Sequence, residues 1–158
     1  MLKPNWPAPA NVHAFTTLRT TPETYLDSLP NNPSWLKQIH GITVQCIDNM
    51  SQSLPEADAA IAFKPNQICV VRTADCLPVL ICDMAGTQVA AIHAGWRSLS
   101  AGIIHQTCAQ LTSTPAKCLA WLGPAIGPQS FEVGRDVLDN FVSNGWESAI
   151  IQQAFTPK

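Results

Sequence analysis

The stretch that decides the fold reads Leu-Pro-Val-Leu-Ile-Cys (77–82), Asp-Met-Ala-Gly-Thr (83–87) and Gln-Val-Ala-Ala-Ile-His-Ala (88–94). The first run is continuously apolar, as is the earlier run Gln67–Arg72, and this is typical of strands that are covered on both faces. The third run is predicted to be another strand. The middle run holds residues that favour a turn. The stretch therefore predicts a β-hairpin, and pairing of its two strands would bring Cys76 and His93 to one end.

Short strands are also predicted before and after this hairpin. They are indicated by apolar and β-branched runs at Val12–Thr17, Trp35–His40, Thr43–Ile47, Ala57–Ala62, Gln67–Arg72 and Lys117–Leu122. The first 35 residues carry six prolines, so that part of the chain is predicted to be rich in loops.

Two helices are predicted from the spacing of apolar residues. Ser98–Leu111 places apolar residues near one face at helical spacing, with Ser98 or Ser100 available as the N-cap. Arg135–Val142 forms the second helix, after a turn-rich loop at 123–128. The first helix would begin directly beside His93.

The bulk composition indicates one compact domain over residues 1–158. Hydrophobic residues make up 46% of the chain and charged residues 13%, which is typical of a globular protein. The formal net charge of −2, without any block of like charges, argues against polymeric nucleic acid as a partner. The start has no apolar run after its basic residue and no stretch could span a membrane, so a cytoplasmic protein is expected.

Three side chains suit a catalytic zinc site, namely His40, Cys76 and His93. Catalytic zinc usually takes three protein ligands, with imidazole and thiolate among its preferred donors, and keeps a fourth position open. Each of the three ends a strand-like run beside a turn residue. Taken singly, a histidine or cysteine in an apolar run is more often a packing residue, and the other five cysteines (46, 69, 82, 108 and 118) are interpreted as core filling.

Four polar or aromatic residues near this set are candidates for substrate chemistry. Asp75, in a half-buried loop, would need a partner, for which Arg72, Arg97 or a ligand histidine would serve, or it is simply a turn residue. Arg97, at the first turn of the predicted helix, suits phosphate or carboxylate, with a surface salt bridge as the alternative. Trp96 offers a flat face to a ring-shaped substrate, although tryptophans are more often core residues.

Four motifs resemble those of the YfiH/laccase-domain family, whose members were once called polyphenol oxidases. They are Trp-Leu-Lys-Gln-Ile-His-Gly (35–41), Thr-Ala-Asp-Cys-Leu-Pro-Val (73–79), Ile-His-Ala-Gly-Trp-Arg-Ser (92–98) and Trp-Leu-Gly-Pro-Ala-Ile-Gly-Pro (121–128). The resemblance extends from about residue 12 to about residue 157. It implies an α+β fold with a central two-sheet β sandwich of mixed sheets flanked by helices, and a zinc ion bound at His40, Cys76 and His93.

The chain departs from the family pattern at three places. Relatives usually have a glycine-rich segment after the first strand. That segment is absent here, and residues 17–19 are followed almost directly by residues 20–33. Relatives generally continue past the equivalent of 155–157 into further strands, so the chain is either naturally minimal or a truncated sequence. Gln129-Ser130-Phe131 stands where relatives often show cysteine.

The resemblance implies a zinc-dependent enzyme acting on purine nucleosides, with a nucleoside and phosphate as small-molecule partners and a monomeric or homodimeric state. The reactions would be phosphorolysis of adenosine, inosine or methylthioadenosine, or adenosine deamination, with Arg97 gathering negative charge and Asp75 orienting a ligand or moving a proton. Arg72 and Trp96 would help to bind the substrate.

Three alternatives stay open at this point. Cys76 could be the nucleophile of a hydrolase or deamidase, with His93 as its base and Asp75 as the orienting group. The chain could be a degenerate member that keeps the metal without catalysis. Copper is a weaker choice than zinc, because blue-copper sites usually add a weak axial ligand.

Overall fold

The computed structural model describes residues 1–50 and 54–155, so part of the expected 1–158 domain lies outside it. Five strands form one sheet in the order β1-β2-β4-β3-β5. Their bounds are Val44–Cys46 (β1), Ala59–Ala62 (β2), Leu77–Asp83 (β3), Val89–Ala94 (β4) and Cys118–Leu122 (β5). β1 and β2 are parallel and the other neighbours are antiparallel, so the sheet is mixed.

Helices flank this sheet, and the predicted α+β class is confirmed. The α-helices are Trp96–Ser100 (α1), Ile103–Gln110 (α2), Arg135–Ser143 (α3) and Ser148–Ala154 (α4), and Glu23–Ser28 and Pro115–Lys117 are 3₁₀ turns. Within the described residues the strands make one sheet, so the two sheets of the expected sandwich are not both present there. No described helix has the length and hydropathy that a membrane crossing requires.

The hairpin prediction is confirmed. β3 and β4 are antiparallel neighbours, with Leu77 opposite Ala94 and Cys82 opposite Val89. β4 lies between β2 and β3 and is largely buried. The open end of the hairpin therefore carries His93, opposite Pro78, with Cys76 just before β3.

Three predicted strands are wrong. Only isolated β-bridges form in these segments, which are Val12–Thr17, Trp35–His40 and Gln67–Arg72. The side chain of Gln38 explains part of the difference, because it donates to the carbonyl of Arg72 (2.8 Å) and accepts from its backbone N–H (2.7 Å). A side chain thus replaces the ladder hydrogen bonds that a second strand would supply.

The predicted helix over Ser98–Leu111 is interrupted. Gly102 has φ +94°, a left-handed conformation that glycine adopts readily, and it separates α1 from α2. The N-cap residues are Gly95 and Gly102 rather than Ser98 or Ser100, whose side chains are buried. α3 agrees with the predicted second helix, whereas α4 was not predicted.

Apolar side chains cover both faces of the sheet. Along β2, Ala59 and Ile61 belong to a cluster completed by α2, whereas Ala60 and Ala62 belong to a cluster on the other face. This alternation follows from the two-residue period of a strand. Of the cysteines expected in the core, Cys82 is buried but Cys46 is exposed, which corrects that expectation.

Candidate metal centre

His40, Cys76 and His93, called the donor group below, converge at the open end of the hairpin. Each offers one nitrogen or sulfur atom, and these atoms all lie within 4.8 Å of one another. β4 carries His93, the residue before β3 is Cys76, and His40 lies in the loop before β1. The two imidazole rings meet edge to face, with 4.7 Å between centroids. The spacing is compatible with one shared ion.

The loop that carries His40 is held by Asp58. Oδ1 of Asp58 accepts the backbone N–H of His40 (3.0 Å), and Oδ2 accepts those of Gly41 (2.7 Å) and Ile39 (3.2 Å). His40 itself has φ +57°, a conformation uncommon for residues other than glycine. The surrounding contacts therefore hold His40 in a backbone conformation that a histidine rarely adopts.

Asp58 also contacts the second histidine. Its Oδ1 lies 2.8 Å from Nδ1 of His93, and its carbonyl accepts the backbone N–H of His93 at 2.7 Å. With Nδ1 engaged, Nε2 of His93 is the nitrogen that stays available to the donor group. The side chain of Asp58 is fully buried. Sequence reasoning assigned no role to it, although a carboxylate inside the apolar run 57–62 was a signal that a buried partner existed.

Gly95 allows the donor group to come together. A Cβ at this position would lie 2.8 Å from Nδ1 of His40 and 3.0 Å from Sγ of Cys76. Both distances are shorter than carbon contacts with these atoms normally are, so the absence of a side chain leaves room for the two ligand atoms. The glycine is required by close approach, since its φ of −61° is open to any residue.

The environment of Cys76 favours the protonated thiol. Burial raises the pKa of this thiol first, and the carboxylates of Asp75 and Asp58 raise it further. Asp75 is exposed, which corrects the expected half-buried loop, and the carboxylate that contacts His93 is Asp58. A nearby divalent cation would act in the opposite direction on the thiol, because it favours the thiolate.

The predicted substrate residues lie next to the donor group in sequence. Arg97 is in the first turn of α1, as predicted, and its guanidinium carbon lies 4.2 Å from the ring centroid of Trp96. Arg72 stacks in the same way on Trp35, at 4.0 Å. Both arginines are exposed. Each guanidinium is thus held against an aromatic face while its N–H groups can reach solvent or a ligand.

Comparison with known proteins gives a family match. A family model described as multicopper polyphenol oxidoreductase laccase matches residues 13–158. The purine nucleoside phosphorylase YfiH of Escherichia coli is 48% identical over 116 residues, which cover 73% of this chain and 48% of that protein. A purine nucleoside phosphorylase of Pseudomonas aeruginosa is 41% identical over 182 residues, with 99% and 73% covered. The chain thus spans about half the length of the E. coli relative.

Solved structures agree with the fold. A Neisseria meningitidis protein of the DUF152 family superimposes with a TM-score of 0.78 and 37% identity, covering 91% of this chain and 70% of its own. A Bacillus licheniformis protein named YfiH gives a TM-score of 0.68 and 25% identity, covering 78% and 51%. The described arrangement of sheet and helices is therefore shared with these proteins.

Proposed function

The chain belongs to the YfiH/laccase-domain family, and from this membership we propose that it is a metal-dependent enzyme acting on purine nucleosides. The observation that carries the proposal is the convergence of three donor atoms within 4.8 Å. The relatives are named purine nucleoside phosphorylases, and this name supplies the substrate class.

Zinc is the metal that the donor group fits best. Two imidazoles and one thiolate belong to the donor sets of catalytic zinc sites, which keep a position for substrate. The room that Gly95 leaves beside His40 and Cys76 supports the fit. Copper is less favoured, because among residues 1–50 and 54–155 no second group of His, Cys, Asp and Glu side chains is found that could complete a multicopper cluster.

The chain's own residues would bind and orient the substrate. Trp96 would offer the purine the ring face that Arg97 does not cover, and Arg97 would hold a phosphate near the open end of the hairpin. Arg72 is a second exposed cation in the segment that leads to Cys76. When bound, a zinc ion supplies Lewis acidity to the site.

Phosphorolysis is the reaction that we propose first. A phosphate oxygen forms a bond to the anomeric carbon of the ribose while the glycosidic C–N bond breaks, and the base leaves with that electron pair. The departing base then takes up a proton, which the attacking hydrogen phosphate gives up, and Asp75, the exposed carboxylate beside Cys76, would relay it. Deamination of adenosine is the second reaction of the same substrate class.

A cysteine hydrolase is the less favoured alternative. The donor group would provide a thiol and a histidine, and Asp58 rather than Asp75 would orient the histidine. The raised pKa of Cys76 opposes this reading, because a nucleophilic cysteine needs a stabilised thiolate. Zinc binding to the same sulfur would also make it a poorer nucleophile.

Product analysis tests the proposal. Zinc-loaded protein is incubated with adenosine, with and without phosphate, and we expect adenine and ribose 1-phosphate only when phosphate is present. Inosine would instead indicate deamination, and no product with zinc fully loaded would favour a metal-binding member without catalysis. Cys76→Ala should abolish turnover, whereas Cys46→Ala, which changes an exposed cysteine outside the donor group, should not. Full activity in Cys76→Ala would contradict the proposed site.

Location and assembly stay predictions. A cytoplasmic protein and a monomeric or homodimeric state were expected from the sequence and from the resemblance. Size-exclusion chromatography with light scattering would measure the second directly.

A further inference from the structure

We propose that Asp58 is the positioning residue that presets both histidines of the donor group before a metal ion arrives. The inference rests on the proposed metal site and not on which nucleoside reaction the site performs. Asp58 does not belong to the donor group, so it would act through His40 and His93.

The hydrogen bonds of Asp58 use both oxygens of its side chain. Oδ1 accepts from the backbone N–H of His40 and contacts Nδ1 of His93, while Oδ2 accepts from the backbone N–H groups of Ile39 and Gly41. Four partners match the roughly four lone-pair positions that a carboxylate offers. The group is fully buried, where a carboxylate is tolerated only if it is well hydrogen-bonded.

The shared oxygen links two separate parts of the chain. His93 lies on β4, whereas His40 lies in a loop more than fifty residues earlier, and Oδ1 of Asp58 contacts both. A proton on Nδ1 of His93, directed at Asp58, leaves the Nε2 lone pair for a metal. The three loop N–H groups hold the backbone at His40, whose φ is +57°.

Asp48 provides a matched control inside the same chain. Its carboxylate also accepts backbone N–H groups from a neighbouring segment, those of Phe63 (3.0 Å) and Lys64 (3.1 Å). It does not belong to the donor group. Substitution of Asp48 therefore removes comparable backbone hydrogen bonds without changing the support of a histidine.

Metal affinity of the two variants tests the inference. Asp58→Asn replaces one carboxylate oxygen by an amide NH₂ group. If this group faces the loop, the hydrogen bonds from the loop N–H groups are lost. If it faces Nδ1 of His93, the wrong tautomer of His93 is favoured. We expect zinc affinity, measured by competition with a chromophoric chelator, to fall about 10–100-fold. Asp48→Asn should stay within about twofold of the wild type, because changes outside the metal site leave the ligands in place.

Cobalt substitution separates positioning from general stability. The thiolate-to-cobalt absorption band of Asp58→Asn should be weakened or shifted, and that of Asp48→Asn unchanged. A variant with a lower Tm but wild-type zinc affinity and cobalt spectrum would overturn the inference and leave Asp58 a structural residue.

A measurement on the wild type covers the case in which Asp58→Asn does not fold. Nitrogen-15 NMR of the metal-free protein should show His93 protonated at Nδ1 and a slowly exchanging Nδ1 proton. A proton on Nε2 would contradict the inference. Neither readout uses a nucleoside, so failure of turnover with zinc loaded counts against the proposed function alone, and unchanged affinity in Asp58→Asn counts against this inference alone.

Discussion

The two ends of the β3–β4 hairpin each hold a buried carboxylate, and they use it differently. At the turn end, Asp83 accepts from the backbone N–H and hydroxyl of Thr87 (both 2.7 Å), from the backbone N–H of Gln88 (3.2 Å) and from the hydroxyl of Ser113 (3.1 Å). At the open end, Asp58 holds backbone groups and also a histidine.

The difference teaches that burial of a carboxylate does not by itself mark a functional site. Burial acts to raise the pKa of Asp83, but hydrogen bonds from Thr87, Gln88 and Ser113 outweigh it and lower the pKa to about 2. Its donors are neutral and fix a turn. The contacts of Asp58 include the imidazole of His93, which belongs to the donor group, so at that end a buried carboxylate supports a candidate metal site as well as the backbone.

Gly95→Ala should have the largest effect, and only at the open end. The new Cβ would crowd Nδ1 of His40 and Sγ of Cys76, so zinc affinity should fall about 100-fold, or about 2.7 kcal/mol, with little change in fold. Chelator competition and circular dichroism measure the two quantities.

Gly127→Ala is the matched control for that prediction. A Cβ at Gly127 would meet nothing within 4 Å, so zinc affinity should stay unchanged. Unaltered affinity in Gly95→Ala would mean that the two ligand atoms do not share an ion at the distances described.

Asp83→Asn should have the next largest effect, on stability rather than on metal affinity. Folding lowers the pKa of Asp83 from 3.8 to about 2. The ionised carboxylate therefore stabilises the folded state above about pH 4, and this stabilisation is lost as the pH falls from about 4 to about 2. The variant should lose about 2 kcal/mol of unfolding free energy at neutral pH. It should also show a flatter acid dependence in urea titrations at several pH values.

An exposed aspartate provides the comparison for the acid experiment. Asp139 pairs with Arg135 on the surface of α3, and Asp139→Asn should leave the acid dependence as in the wild type. If Asp83→Asn lost as much stability as the wild type between pH 4 and 2, Asp83 would not be the group that causes this loss.

Lys37→Ala should have the smallest effect. Lys37 forms an exposed ion pair at 2.8 Å with Glu56, which is two residues before Asp58 in sequence. Exposed pairs contribute little, so unfolding free energy should change by less than about 0.5 kcal/mol and zinc affinity should stay the same. A large change in zinc affinity would indicate that surface charge, rather than the buried carboxylate, governs the open end.

The hairpin and most of the sheet could be predicted because their sequence pattern is local. The continuous apolar run at 77–82 required burial on both faces, and the structure agrees, whereas the similar run at 67–72 forms no strand. The break at Gly102 and the replacement of a strand ladder by Gln38 depend on tertiary contacts that no periodicity records. Propensity alone therefore predicted strands where side chains satisfy the backbone instead.

The candidate site shows the same division. His40, Cys76 and His93 were proposed from residue type and motif, and the structure brings them together. Asp58 was not proposed, because its role depends on a contact 35 residues along the chain to His93. Its position in an apolar run indicated only that some partner had to exist.

X-ray absorption at the zinc edge of the wild-type protein tests the central claim most directly. The account predicts one zinc per chain, with one sulfur scatterer at about 2.3 Å and nitrogen scatterers at about 2.0 Å that include two imidazoles. A zinc shell without sulfur, or a purified protein that binds no divalent ion, would contradict it.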